Sequence, residues 1–174
     1  IDKKIADSPL TKDASSKAPR YAVLTNCTYD GLCYNAAEAQ DLLAQSSPRI
    51  HFDEAWYGYA RFNPVYADHY AMRGDPKEHA EGAPTVFATH STHKLLAALS
   101  QASMIHIRNG SSEEVDRDLF NEAFMMYSST SPQYSIIATL DVSTRMMKGS
   151  GGRTLMNETI EEPVVFRKKM VQIG

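Results

Sequence analysis

Residues 21–53 read YAVLTNCTYDGLCYNAAEAQDLLAQSSPRIHFD, and this stretch decides the fold class. Tyr21-Ala-Val-Leu-Thr25 is a short apolar run suited to a buried strand. Asn26-Cys-Thr-Tyr-Asp-Gly31 is a turn cluster. Ala36 to Ala44 is then rich in Ala, Glu, Gln and Leu, which lose little freedom on entering a helix. Ser46-Ser-Pro48 stops that helix, because proline biases the residue before it away from helical backbone. Arg49-Ile-His-Phe-Asp53 resumes as a second strand. Strand, helix and strand in this order predict a parallel sheet, since parallel strands need a crossover long enough to hold a helix.

Working outward, residues 1–20 are dominated by Lys, Asp, Ser and Pro and are expected to form a loop or frayed lead-in. Glu54 to Pro84 carries Trp56, Gly58, Gly74, Pro76 and several tyrosines and histidines without clear periodicity. A connection that long inside a compact domain is usually functional. Thr85-Val-Phe-Ala-Thr89 is a third strand candidate and runs into His90-Ser-Thr-His-Lys94. Ser103-Met-Ile-His-Ile107 alternates like a fourth and stops at Asn109-Gly110. Beyond it the pattern turns helical. Ser112-Glu-Glu opens a charged lead to Asp116–Tyr127, where Leu119, Phe120, Ala123, Phe124 and Met126 make a broad apolar face. Ser128-Ser-Thr-Ser-Pro132 breaks it. Tyr134 to Met147 is a second helix candidate, ended by Lys148-Gly-Ser-Gly-Gly152. Thr154 to Val171 is a third, with Pro163 in conflict with that reading. The expected fold is α/β, a mostly parallel sheet followed by helices. It divides into a lead-in over 1–20, a core over 21–152 and a helix over 153–174.

The chain has 174 residues, 43% hydrophobic and 22% charged, which is ordinary globular usage and excludes a disordered tail or a collagen-like repeat. Eighteen basic against twenty-one acidic residues give a net charge of −3, and no Lys/Arg stripe forms, so no nucleic-acid partner is expected. Apolar runs fall far below the roughly 20 residues needed to span a bilayer, so no membrane insertion is expected. Cys27 and Cys33 are too few for a disulfide framework, and no CxxC pair exists for zinc or redox work. The N-terminus, Ile1-Asp-Lys-Lys-Ile5, has charge where the apolar core of a signal peptide belongs. A cytoplasmic protein is expected. The sequence starts mid-pattern without Met, which suggests a piece of a longer protein.

Three features compete as candidate chemistry. Asp53 is a carboxylate at the C-terminal end of a predicted strand, the edge where ligands bind in open α/β sheets; a strand-end Asp capping the next turn fits its position as well. Lys94 lies between a strand and the apolar stretch Leu95–Leu99. A lysine beside apolar residues can act as an imine-forming nucleophile, although a packed stem with its charge in water is the commoner role. His90, His93 and His106 are close in sequence, but His90 and His93 follow a strand and share a face only in a helix, so a metal site is not expected. Together, a strand-end carboxylate and a strand leading to Ser-x-His-Lys meet the needs of pyridoxal phosphate. Its aldehyde requires an amine, and its pyridine nitrogen requires an anion to stay protonated.

These residues also carry a resemblance. Phe52-Asp-Glu-Ala-Trp-Tyr-Gly-Tyr-Ala-Arg-Phe-Asn-Pro64 and Ala88-Thr-His-Ser-Thr-His-Lys-Leu-Leu-Ala-Ala-Leu-Ser-Gln-Ala-Ser103 closely resemble the bacterial ornithine/lysine/arginine decarboxylase group. Those are fold-type I, aspartate aminotransferase-like, pyridoxal phosphate enzymes. Thr25-Asn-Cys-Thr-Tyr-Asp-Gly31 and Met125-Met-Tyr-Ser-Ser-Thr-Ser-Pro132 match as well, so the resemblance spans nearly the whole chain. Trp56-Tyr-Gly-Tyr-Ala-Arg-Phe-Asn-Pro64 and Tyr66-Ala-Asp-His-Tyr-Ala-Met-Arg-Gly74 look most like the biodegradative, acid-induced arginine branch.

The resemblance implies that the chain is part of a fold-type I large domain and decarboxylates L-arginine to agmatine with uptake of one proton. Lysine and ornithine are the rival substrates, and a catalytically empty structural stretch is the rival role. By the same resemblance Lys94 holds pyridoxal phosphate covalently and Asp53 pairs with the pyridine nitrogen. Ala55 lies close to the ring, Trp56 walls the site, and Ser91 and His93 line the cofactor, with His93 also able to touch substrate. Ser128, Ser129 and Thr130 reach a neighbouring subunit's site. The group builds homo-oligomers from dimers that stack into larger rings, a decamer among them. Its phosphate loop and the aromatic ring stacked on the cofactor come from an earlier half of the domain and have no counterpart ahead of Tyr21.

Overall fold

Four strands, β1 (Ala22–Thr25), β2 (Arg49–Asp53), β3 (Thr85–His90) and β4 (Met104–Arg108), pair in the order β1-β2-β3-β4. The structure is a computed structural model that describes residues 1–15, 18–75, 77–78, 80–111 and 114–173. β1, β2 and β3 run parallel, with Thr25 opposite Asp53 and Asp53 opposite Thr89. β4 closes the sheet antiparallel, with His106 opposite Ala88 and Met104 opposite His90. The α/β expectation of a mostly parallel sheet followed by helices holds.

The helices are α1 (Asp2–Ala6), α2 (Ala36–Ala44), α3 (Thr92–Leu95), α4 (Arg117–Tyr127), α5 (Tyr134–Met147) and α6 (Ser150–Ile173). α2 has the expected bounds because both ends are encoded locally. Asn35 caps it by accepting from the N–H groups of Ala37 and Glu38, and Glu38 accepts in return from the Asn35 amide. α4 begins one residue later than expected because Asp116 is its cap, accepting from the N–H groups of Asp118 and Leu119.

Three local readings need correction. The lead-in is not wholly a loop, since it contains α1 and a 3₁₀ turn at Pro9–Thr11, capped by the Ser8 hydroxyl. Gly151 and Gly152 do not end a helix; they open α6, and the break falls at Gly149, whose φ of +88° a side chain would resist. α6 runs through Pro163, because losing one internal hydrogen bond is tolerable in a helix of 24 residues. Ser112 and Glu113, part of the charged lead to α4, lie outside the described residues.

The core forms on one face of the sheet. Ile50 and Phe52 of β2 and Val86 and Ala88 of β3 are buried there against Ala36, Ala39 and Leu43 of α2 and against Ala71 and Met72. Each large side chain so buried contributes about 2 kcal/mol. Within the long connection from Glu54 to Pro84, the stretch 57–70 is held by its aromatics. Tyr57, Tyr59 and Tyr66 meet edge to face with centroids 5.4–5.7 Å apart, and Cys27, Ala60 and Tyr70 complete that second cluster. The opposite face of the sheet is more open, with Val23 57% and Ile105 38% exposed.

Candidate active site

The site grows from the C-terminal ends of β2 and β3. Strand alternation turns Phe52 into the core and Asp53 to the open face, where Asp53 is half-buried between Thr25 and Thr89 of the neighbouring strands. One Asp53 carboxylate oxygen accepts the N–H of Ala55 at 3.2 Å, so the turn-capping role is real. Among the described residues this is the only hydrogen bond to that carboxylate, which leaves acceptor capacity for a ligand.

The second wall comes from α3, a single helical turn. The backbone joins the two walls in a short relay. The Ser91 N–H donates to the Ala55 carbonyl at 3.3 Å, and the Lys94 N–H donates to the Ser91 carbonyl at 2.9 Å. Asp53, Ala55, Ser91 and Lys94 are thereby brought together at one end of the sheet. The Lys94 Nζ stands 4.7 Å from the Trp56 ring centroid, a cation–π distance, and Trp56 meets Tyr29 edge to face at 5.9 Å. His93 is held differently: its Nδ1 is 2.9 Å from the Ala102 carbonyl. A carbonyl can only accept, so Nδ1 carries the hydrogen and Nε2 is left available. The Ser91 hydroxyl has no hydrogen-bond partner among the described residues. Ser128 is half-buried and Ser129 and Thr130 are exposed at the end of α4, with no described contact to this cluster.

This donor set fits pyridoxal phosphate. It offers a primary amine, an under-coordinated carboxylate one strand away, a small Ala55 bonded through its main chain to Asp53 and Ser91, and a hydroxyl and an imidazole nitrogen without partners among the described residues. Among the described residues no group of three His, Cys, Asp or Glu could hold a metal ion, and no helix is long and apolar enough to cross a membrane. His90 and His93 are engaged separately, by Glu54 and by Ala102.

Reading the sequence missed a row of polar residues directly beneath this edge. Because Thr25, Asp53 and Thr89 are in register, the next residues, Asn26, Glu54 and His90, form the following row. Asn26 and Glu54 are 0% and 1% exposed. The Glu54 carboxylate accepts from the Asn26 amide at 2.9 Å, the Ala71 N–H at 2.7 Å and His90 Nε2 at 3.1 Å. The signal available beforehand was the repetition of a polar residue one step past each parallel strand. A cavity of about 630 Å³ opens on the core side of this row, lined by Glu54, Tyr57, Arg61, His90, His106 and Arg108 among others, and none of Asp53, Ala55, Trp56, Ser91, His93 and Lys94 lines it. Burial, aided by His90 with its ring centroid 4.8 Å away, holds the His106 imidazole below its ordinary pKa. Burial also pushes the Cys27 thiol up to about 11 and the Tyr59 phenol up to about 12.

Comparison with known proteins gives one answer. A family described as Orn/Lys/Arg decarboxylase, major domain, matches residues 1–173. The chain is 60% identical to the biodegradative arginine decarboxylase of Escherichia coli over 99% of its own length and 22% of that protein. It is 51% identical to a lysine decarboxylase of Pseudomonas aeruginosa over 99% of its length, again 22% of the relative. The solved structure of lysine decarboxylase A from Pseudomonas aeruginosa superposes with a TM-score of 0.84 at 53% identity, covering 95% of this chain and 22% of that one. The chain therefore spans about a fifth of the length of the relatives it matches. It belongs to the Orn/Lys/Arg decarboxylase family, in the part that forms the major domain.

Proposed function

We propose that this chain carries the cofactor-anchoring edge of a pyridoxal phosphate-dependent decarboxylase that converts L-arginine to agmatine and CO2. The observation that carries the reading is the hydrogen-bonded relay from Asp53 through Ala55 and Ser91 to Lys94, at the strand ends where ligands bind in such sheets. Lys94 supplies the amine that anchors the cofactor. Asp53 holds the proton on the pyridine nitrogen. Ser91 and His93 Nε2 present a donor and an acceptor to the cofactor or substrate, Ala55 leaves room for a flat ring, and Trp56 forms a side wall. When bound, pyridoxal phosphate accepts the electron pair that stays behind as the substrate carboxylate leaves. A proton then takes the place of CO2, so each turnover consumes one proton, which suits a cytoplasmic enzyme that counters acid.

Arginine is favoured over lysine and ornithine by identities of 60% against 51% and 36% to relatives named for those substrates. The working protein is proposed to be a homo-oligomer assembled from dimers, with Ser128, Ser129 and Thr130 directed to a neighbouring subunit. Competing product assays on the complete decarboxylase carrying this chain test the substrate. Agmatine supports the reading, whereas cadaverine or putrescine alone replaces arginine with lysine or ornithine. No amine product from any of the three, with cofactor bound, makes the chain a structural module.

A further inference from the structure

The Glu54 carboxylate occupies an unusual position for a buried acid. It is flanked in sequence by Asp53 and Ala55, yet its side chain turns away from them into the core and is 1% exposed. Its three partners come from three separate segments: Asn26 just past β1, Ala71 in the long connection, and His90 at the end of β3. Its own N–H donates to the Thr89 carbonyl at 3.0 Å, which adds a main-chain tie to β3. Asn26 is itself fully committed. Its N–H donates to the Asp53 carbonyl at 2.8 Å, its amide also donates to the His69 carbonyl at 2.8 Å, and its side-chain oxygen accepts from the Tyr34 N–H at 3.0 Å. A buried carboxylate with this many donors is costly to disturb, because removing it leaves those donors unsatisfied.

We infer that Glu54 is a positioning residue, which locks the strand end bearing Asp53 to the strand end leading to Lys94 and so sets the spacing of the two cofactor anchors. The inference rests on the proposed roles of Asp53 and Lys94. The link is short on both sides: Glu54 is one residue from Asp53, and His90 is one residue from Ser91, whose carbonyl receives the Lys94 N–H. The other titratable or charged groups packed near the pair are His106, with its ring 4.8 Å from that of His90, and Tyr57, Arg61, Tyr70, Arg73 and Arg108, which line the adjoining cavity. None of these accepts or donates at the Glu54 carboxylate, so the side-chain part of the tie depends on Asn26, Ala71 and His90, beside the main-chain bond to Thr89.

The variants are made in the complete decarboxylase. Glu54→Ala removes all three bonds and is expected to lower kcat by about 10–100-fold with KM changed less, and to move the midpoint of the pH titration of the bound-cofactor absorbance. Glu54→Gln keeps the shape, and His90 can switch tautomer to accept from the new amide, so it should stay within about threefold of the parent. In the cofactor-free protein, Glu54→Ala should raise hydrogen exchange at the amides of Ala55, Ser91 and Lys94, a readout independent of activity. If Glu54→Ala fails to fold, His90→Ala cuts only the side-chain link to β3 and should still move the titration midpoint and the exchange of Ser91 and Lys94. A folded, cofactor-loaded variant with the parent's kcat, titration and exchange would overturn the inference. Lys94→Ala separates the two levels: if it keeps the absorbance band, the site reading itself fails, whereas loss of the band with an indifferent Glu54 condemns only the positioning role.

Discussion

Asp53 and His106 carry opposite lessons about charge. Asp53 retains free acceptor capacity at a ligand edge, and a charge-assisted bond to a protonated ring nitrogen is worth about 1.5–3 kcal/mol. Asp53→Ala is therefore expected to weaken pyridoxal phosphate binding by about 10–100-fold in a spectroscopic titration, and unchanged affinity would count against the assignment. His106 is held below its ordinary 6.5 by burial and by His90. The unfolded chain takes up a proton near that value while the folded chain resists, so the unfolded state binds more protons as the pH falls below it. Stability is then lost on the acid side of about pH 6.5 and the loss levels off under the folded value. His106→Gln should shallow the fall of Tm between about pH 7 and about pH 5, and an unaltered slope contradicts this cause. The strand-end placement of Asp53 was legible in the sequence, because the run Arg49–Asp53 carries its own strand pattern. Glu54 was not, since nothing local distinguishes a surface glutamate from one with three donors waiting for it in the core.

Local signals decided most elements, and glycine decided the joint between α5 and α6. A Cβ on Gly152 would sit 2.0 Å from the Met147 carbonyl oxygen, whereas one on Gly151 would meet nothing within 4 Å. Gly152→Ala should lower Tm through that backbone clash, while Gly151→Ala should raise stability by about 0.5–1 kcal/mol by restricting the unfolded chain. Thermal melts of the two variants check the pair, and equal effects from both would refute the assignment of the joint. Reading the Lys148–Gly152 run as one terminator was reasonable from composition, but only the fold shows which glycine turns the chain and which is pressed against a carbonyl. The strands were easier, because β2 alternates apolar Ile50 and Phe52 with polar neighbours and β3 holds the apolar run Val86–Ala88, each strand directly preceded by a proline. α1 escaped notice because a five-residue helix with no buried residue leaves no periodic pattern.

At the scale of the whole chain, apolar surface is distributed unevenly. Phe124, Met125, Met126 and Tyr127 of α4 and Val165, Phe166, Met170 and Val171 of α6 are all more than two-fifths exposed. Exposed apolar area of this kind marks surfaces that pack against other protein. The 174-residue chain on its own should self-associate in sedimentation, and Phe124→Glu with Phe166→Glu should reduce it; a monomer at all concentrations would contradict that. No sequence pattern says what covers these faces, since a helix encodes that it has an apolar stripe and not which partner meets it. The open side of the sheet, beside the proposed anchors Lys94 and Asp53, poses the same question, with Val23 57% and Ile105 38% exposed there. The central claim is that Lys94 and Asp53 grip one cofactor. Borohydride reduction of the complete decarboxylase with pyridoxal phosphate, followed by peptide mass mapping, tests it most directly. The account predicts the reduced cofactor on the peptide bearing Lys94 and its loss in Lys94→Ala; a modified lysine elsewhere, or none, contradicts it.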